Sequence, residues 1–252
     1  MHHIGRWIAR YLSKPRPQLS RRATSEAVLL AQTIRKGDIL LVEGTSRISA
    51  AIKYVTQSTW SHAALFIGNT AGEKKTGAEE KTLLEADLNE GVRTVPLSEY
   101  AGSHTRICRA VGLTAEEVDR VISYASARLG HRYDLKNVFD LARYFIQTPP
   151  VPIRWRRQLL ALGSGDPTRA ICSSLIAEAF QSVRYPILPE VSIEKSAQCQ
   201  SCDREILHIR HHSLFAPRDF DVSPYFDIIK PAIEKDFDPH QLHWGDDMEE
   251  KG

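Results

Sequence analysis

The sequence predicts an α+β fold built around one antiparallel sheet. Along the 252 residues the predicted elements come in blocks: helices with a first strand, then a run of strands, then helices. Segregation of this kind is typical of α+β proteins, whereas regular strand–helix alternation favours a parallel sheet. The middle strands are separated by short turn-like stretches, as the strands of an antiparallel meander are.

The strands are predicted from apolar runs that are bounded by turn residues. Residues 39–42 follow Gly37-Asp38 and are continuously apolar, which predicts a strand buried on both faces. The next apolar run, 62–67, ends at Gly68-Asn69. Further strands are predicted at 82–86, 92–95, 105–109 and 205–210.

The helix after residue 114 has the clearest boundaries. Thr114 and Glu117 have the T-x-x-E spacing of a capping box, and apolar residues then repeat with helical spacing up to Leu129. Gly130 is expected to end this helix. Other helices are predicted at 25–34, 46–57, 137–145 and 172–183.

Composition restricts the partners and the compartment. The net charge of +2, with no basic stripe interleaved with aromatic residues, predicts no nucleic-acid partner. No apolar run approaches the ~20 residues that span a bilayer, and the N-terminus lacks the apolar core of a secretory signal. The 4 cysteines do not form the pattern of a disulfide framework. We therefore expect a cytoplasmic protein.

Residues 1–14 carry apolar side chains at helical spacing with basic residues between them. A helix of this kind can lie on an anionic membrane surface, which predicts a peripheral membrane contact. The alternative is a terminal helix that packs on its own domain. The sequence leaves both interpretations open.

Cys172 is the first candidate for chemistry because it lies at the predicted start of a helix. Unpaired backbone N–H groups and the positive end of the helix dipole favour the thiolate form of a cysteine there. A thiolate is the reactive form of a cysteine nucleophile. The alternative is a small buried core residue, which is a common role of free cysteine.

His62 and Glu85 are candidates for the partners of this thiol. His62 opens an apolar strand beside Ser61, and Glu85 interrupts another apolar strand on the face that Leu83 shares. A buried acid needs a partner, and an imidazole held by a carboxylate is a general base with a fixed tautomer. The alternatives are a surface histidine and an edge-strand acid that faces water.

A second group of residues has the composition of a metal site. Cys199 and Cys202 form a C-x-x-C pair that is followed by His208 and His211. Two thiols and two imidazoles can hold a structural zinc ion. The alternative is a polar loop, since the spacing from Cys202 to His211 is shorter than that of a zinc finger.

Several segments together resemble the permuted papain-like amidases, the YiiX/YaeF/YebB-type members of the NlpC/P60 superfamily. The matching segments are GDILL at 37–41, SHAAL at 61–65, LEA at 84–86, YD at 133–134, ICSSLIAEAF at 171–180 and APRD at 216–219. The resemblance implies a circularly permuted papain-like α+β fold, in which an antiparallel sheet or half-barrel packs against the cysteine helix. It also implies an amidase or peptidase that requires no cofactor.

The resemblance assigns roles to individual residues. Cys172 becomes the nucleophile, His62 the general base and Glu85 the residue that orients His62. The candidate substrate-binding residues are Tyr133, Ser61 and Ser173.

The implied catalytic domain spans 25–230, with an insertion at about 187–213, between an N-terminal segment and linker (1–24) and an acidic tail (231–252).

The expected reaction is cleavage of a peptide or γ-glutamyl amide through a cysteine thioester. Two alternatives stay open. One is a thioesterase or acyltransferase that acts on lipid, although the Ile171-Cys172 context differs from the Asn-Cys-Glu-His of lecithin:retinol acyltransferase-like proteins. The other is a non-catalytic binding module of the same fold.

Overall fold

A computed structural model describes the chain in these ranges: 27–68, 81–87, 90–131, 171–195, 203–231, 238 and 240. The helices within them are α1 (Ala27–Thr33), α2 (Arg47–Thr56), α3 (Ala115–Ser126), α4 (Ile171–Gln181) and α5 (Pro217–Asp221). The strands are β1 (Ile39–Val42), β2 (His62–Phe66), β3 (Lys81–Asp87), β4 (Gly91–Pro96), β5 (Thr105–Ala110), β6 (Glu190–Lys195), β7 (Asp203–His208) and β8 (Phe226–Ile229). No helix in these ranges is both long and apolar enough to cross a membrane. The predicted helix at 137–145 lies outside the described residues.

The main sheet has six strands in the order β4-β3-β2-β1-β5-β8, and every neighbouring pair is antiparallel. The prediction of an α+β fold with an antiparallel sheet is therefore confirmed. The prediction of a single sheet is wrong, because β6 and β7 pair with each other in a separate two-stranded sheet. The sequence predicts a strand near β7, at 205–210, but not its partner β6.

β1 lies between β2 and β5 and is buried on both faces, as its unbroken apolar run predicts. Ile39 and Leu41 belong to one apolar cluster, together with α3 and α4. Leu40 and Val42 belong to a second cluster on the other face, together with α1. Because side chains alternate along a strand, a strand covered by helices on both faces must be apolar throughout.

α4 begins one residue before Cys172 and packs against the sheet. Cys172, Ile176 and Ala179, which the helical period places on one side, are all buried in the cluster that contains β2. The hydroxyl of Ser173 donates a hydrogen bond of 2.7 Å to the carbonyl of Phe215. This contact fixes the start of α4 against the segment that leads into α5.

α3 begins with the predicted capping box. The Thr114 hydroxyl accepts a hydrogen bond from the Glu117 N–H at 3.2 Å, and the Glu117 carboxylate accepts one from the Thr114 N–H at 3.0 Å. The helix ends at Ser126 rather than Gly130. Gly130 has a φ of +79° and its N–H donates to the Val92 carbonyl at 2.8 Å, so the chain leaves the helix to contact β4.

We expect Thr114→Ala to lower the free energy of unfolding by about 1 kcal/mol, the usual loss for a capping hydroxyl. Thr114→Ser keeps the hydroxyl and should retain most of that stability. Urea denaturation of the three proteins measures the difference. Equal losses in both variants would contradict a capping role.

Candidate functional site

The structure brings Cys172, His62 and Glu85 together, although they lie on a helix and two different strands. The Nε2 atom of His62 lies 2.8 Å from Oε2 of Glu85. Cys172 also lies beside the ring, and its thiol interacts with His62 through hydrogen bonding and charge. Since Nε2 is engaged by the carboxylate, Nδ1 is the ring nitrogen that remains for the thiol.

The strands determine this placement. β2 and β3 pair with Leu65 opposite Leu84, so Glu85 lies beside Ala64. His62 is two residues from Ala64, and residues two apart on a strand point to the same face. His62 and Glu85 are therefore diagonal neighbours on adjacent strands, within reach of one hydrogen bond.

The surroundings of His62 favour its protonated form. Burial by itself lowers the pKa of His62, but the charge and hydrogen bond of Cys172, followed by those of Glu85, raise that pKa from 6.5 to about 10. The imidazole can therefore hold the proton that a nucleophilic thiol has to lose.

Glu85 is a buried carboxylate with a complete set of donors. Its side chain is 1% exposed. Arg93 donates to Oε1 through Nε at 2.9 Å and through Nη2 at 2.8 Å, and the Tyr100 hydroxyl donates to Oε2. Burial raises the pKa of Glu85, but His62, Tyr100 and Arg93 together lower it to about 2. Glu85 is thus a carboxylate at neutral pH.

Arg93 and Tyr100 were not identified from the sequence. Arg93 stands directly opposite Glu85 in the β3–β4 pair, in the same register that places Asp87 opposite Gly91. Counting outward from residues 87–91, which separate the predicted strands 82–86 and 92–95, would have paired these two residues. Tyr100 ends a 3₁₀ turn, Leu97–Tyr100, that follows β4, and no sequence pattern marks its contact with Glu85.

Two of the predicted substrate-binding residues, Ser61 and Ser173, have hydrogen-bond partners within the protein. The Ser61 hydroxyl accepts a hydrogen bond of 2.9 Å from the Gly44 N–H and is buried. Ser173 follows Cys172 in α4 and bonds Phe215, as described above. Tyr133 lies outside the described residues.

The predicted zinc ligands are described only in part. His208 lies 2.8 Å from the Ser192 hydroxyl, and His211 lies 2.8 Å from the Ser213 hydroxyl. Cys199 and Cys202 lie outside the described residues. In the part of the chain that the structure covers, no group of three or more histidine, cysteine, aspartate or glutamate side chains could hold a metal ion. The zinc site stays a prediction.

The site type of the cysteine hydrolases consists of a cysteine at a helix start, a histidine in contact with it, and an acid that bonds the other nitrogen of that histidine. Comparison with known families agrees with this class. The family described as "Permuted papain-like amidase enzyme, YaeF/YiiX, C92 family" matches residues 33–145. The match includes His62 and Glu85 and ends before Cys172.

Individual proteins show weaker similarity. The probable lipoprotein peptidase YaeF of Escherichia coli is 22% identical over 221 residues, 81% of this chain and 74% of YaeF. The RuvB subunit of the Holliday junction branch migration complex of Campylobacter concisus is 25% identical over 147 residues, 57% of this chain. The chain spans 42% of that subunit's length.

The crystal structure of the metalloprotein yiiX from Escherichia coli O157:H7 shares 16% identity with this chain. It covers 77% of this chain and 96% of its own, with a TM-score of 0.45. The family match and the YaeF similarity together support a papain-like hydrolase of the YaeF/YiiX type.

Proposed function

We propose that this protein is a cysteine hydrolase that cleaves an amide bond of the peptide or γ-glutamyl type through a thioester on Cys172. The observation that carries the proposal is the position of His62 between the Cys172 thiol and the buried Glu85 carboxylate. A surface histidine or a solvated edge acid would not have this arrangement. The name of the similar YaeF, a probable lipoprotein peptidase, favours a peptide substrate.

The first half of the reaction forms the thioester. His62 holds the proton that Cys172 has lost, and the thiolate sulfur bonds to the carbonyl carbon of the substrate. The carbonyl oxygen becomes an oxyanion, which N–H groups of the first turn of α4 would stabilise, because they have no partner within the helix. When the C–N bond breaks, His62 gives its proton to the leaving amine.

The second half releases the acyl group. His62 takes a proton from water, the resulting hydroxide bonds to the thioester carbon, and the C–S bond breaks. The sulfur leaves as a thiolate beside the protonated His62, which restores the starting pair, and a carboxylic acid is released. Glu85 stays ionised throughout and holds the imidazole in one tautomer, since its low pKa prevents proton transfer to it.

The proposed architecture is the permuted arrangement of the NlpC/P60 superfamily, with the histidine strand ahead of the cysteine helix. The order of β2 and α4 along the chain supports this assignment. In this scheme α4 packs on the sheet beside β2 and β3, which carry the base and the acid.

A panel of substrates tests the proposal. Purified protein is given a peptide amide, a γ-glutamyl amide and short acyl esters, and acid-quenched samples are searched by mass spectrometry for an acyl adduct on Cys172. We expect hydrolysis of an amide, an adduct on Cys172, and the loss of both in Cys172→Ala.

Cys108→Ala is the matched control, because Cys108 is the other described thiol and is also buried. It should keep its activity. Turnover of esters alone would replace the amide proposal with the lipid thioesterase alternative. No turnover, with Cys172 alkylated no faster than Cys108, would indicate a binding module.

A further inference from the structure

We propose that Tyr100 and Arg93 are positioning residues that keep Glu85 ionised and correctly oriented, and that the reactivity of Cys172 at mildly acidic pH depends on them. The inference rests on the proposed function, because it concerns Glu85, the acid that bonds His62 of the proposed catalytic pair. The supporting observation is the arrangement of four side chains: His62 on β2, Glu85 on β3, Arg93 on β4 and Tyr100 in the 3₁₀ turn that follows β4.

The donors divide evenly between the two oxygens of Glu85. Oε2 accepts from His62 Nε2 and from the Tyr100 hydroxyl, while Oε1 accepts two N–H groups of Arg93. An ionised carboxylate offers about four acceptor positions, so these donors occupy all of them. Because the carboxylate is 1% exposed, protein groups rather than solvent decide its charge and orientation.

Tyr100 contacts the base as well as the acid. Its ring centroid lies 5.9 Å from that of His62, at an interplanar angle of 41°. Burial and the negative charge of Glu85 raise the pKa of Tyr100, so its hydroxyl remains a donor at any working pH. Tyr100 thus restrains the imidazole ring directly and through the shared oxygen of Glu85.

Arg93 supplies the positive charge that balances the buried carboxylate of Glu85. The titratable groups that act on Glu85 are His62, Tyr100 and Arg93, and Arg93 is the permanent cation among them. Arg93 also contacts Glu90 at 3.1 Å, but Glu90 is 64% exposed and its charge is screened by water. Without Arg93, Glu85 would take up a proton at a higher pH, and His62 would lose the anion that stabilises its protonated ring.

The test is the rate of Cys172 alkylation by iodoacetamide as a function of pH. Arg93→Met should reduce the ratio of the rate at pH 6 to the rate at pH 8 by up to about sixfold relative to the parent protein, the largest effect that a shift of about one pH unit can have on this ratio. Tyr100→Phe removes one hydrogen bond and should reduce the same ratio by roughly threefold. Arg93→Lys keeps the charge and should restore most of the ratio.

Two matched controls separate this effect from general loss of stability. Tyr185→Phe removes a buried hydroxyl that bonds Val111 and Tyr225, and Arg109→Met removes the guanidinium that bonds the buried Asp38 at 2.7 and 2.8 Å. Neither should change the ratio.

Unchanged ratios in Tyr100→Phe and Arg93→Met would overturn the inference, as would equal changes in the controls. His62→Ala distinguishes this failure from failure of the proposed function. If His62→Ala slows alkylation while the two variants do not change the ratio, the Cys–His pair stands and the role of Tyr100 and Arg93 is rejected. If His62→Ala has no effect either, the catalytic proposal fails as well.

Discussion

Replacing His62 with alanine is expected to slow the alkylation of Cys172 at pH 7 by at least ~100-fold, the lower range of what a positioned base contributes. The reason is that His62 holds the proton that the thiol must lose, in a site where Cys172 and Glu85 raise the pKa of His62 to about 10 despite its burial. Samples are quenched at a series of times, and mass spectrometry then gives the alkylation rate of each cysteine.

His104→Ala is the matched control for this experiment. His104 also bonds a glutamate, with Nδ1 at 2.9 Å from Oε2 of Glu43, and its side-chain exposure of 23% is close to the 22% of His62. This variant should alkylate at the parent rate. The account fails if His62→Ala leaves the rate of Cys172 unchanged, or if Cys108 reacts as fast as Cys172 in the parent protein.

Glu85→Gln is expected to cost roughly 3 kcal/mol of folding free energy at pH 7, and the cost should shrink as the pH falls. Burial raises the pKa of Glu85, but His62, Tyr100 and Arg93 lower it from 4.5 to about 2, so the ionised form stabilises the fold. For a group with a lowered pKa, this contribution is complete above the unfolded value and is lost as the pH falls through the folded value. The two proteins should therefore differ fully above pH ~5 and converge near pH 2.

Urea denaturation at a series of pH values measures this difference. Glu90→Gln serves as the control, because Glu90 also contacts Arg93 but is 64% exposed, and it should change stability little at any pH. A difference between Glu85→Gln and the parent protein that stays constant from pH 7 to pH 2 would show that the ionisation of Glu85 does not stabilise the fold.

Much of the fold could be predicted because its local patterns agree with its tertiary contacts. The unbroken apolar run of β1 indicated a central strand, and β1 lies third from one edge of a six-stranded sheet. The T-x-x-E spacing at Thr114 gave the start of α3. Glu85 was identified because an acid within an apolar strand needs a partner, and the structure supplies three partners.

The rest depends on contacts between residues far apart in sequence. β8 pairs with β5 across more than a hundred residues, so this pairing has no local pattern. Tyr100 reaches Glu85 because the chain turns after β4, and the direction of that turn is not encoded in a motif. Sequence patterns identified the acid but not the two residues that hold it.

The protonation state of His62 tests the central claim most directly. Nitrogen-15 NMR of the side chain in the parent protein and in Cys172→Ala reports whether one or both ring nitrogens carry a proton. The account predicts an imidazolium at pH 8 that titrates near 10 in the parent protein, and loss of its proton at a lower pH in Cys172→Ala. A neutral ring at pH 8 that titrates near the ordinary 6.5 in both proteins would contradict it.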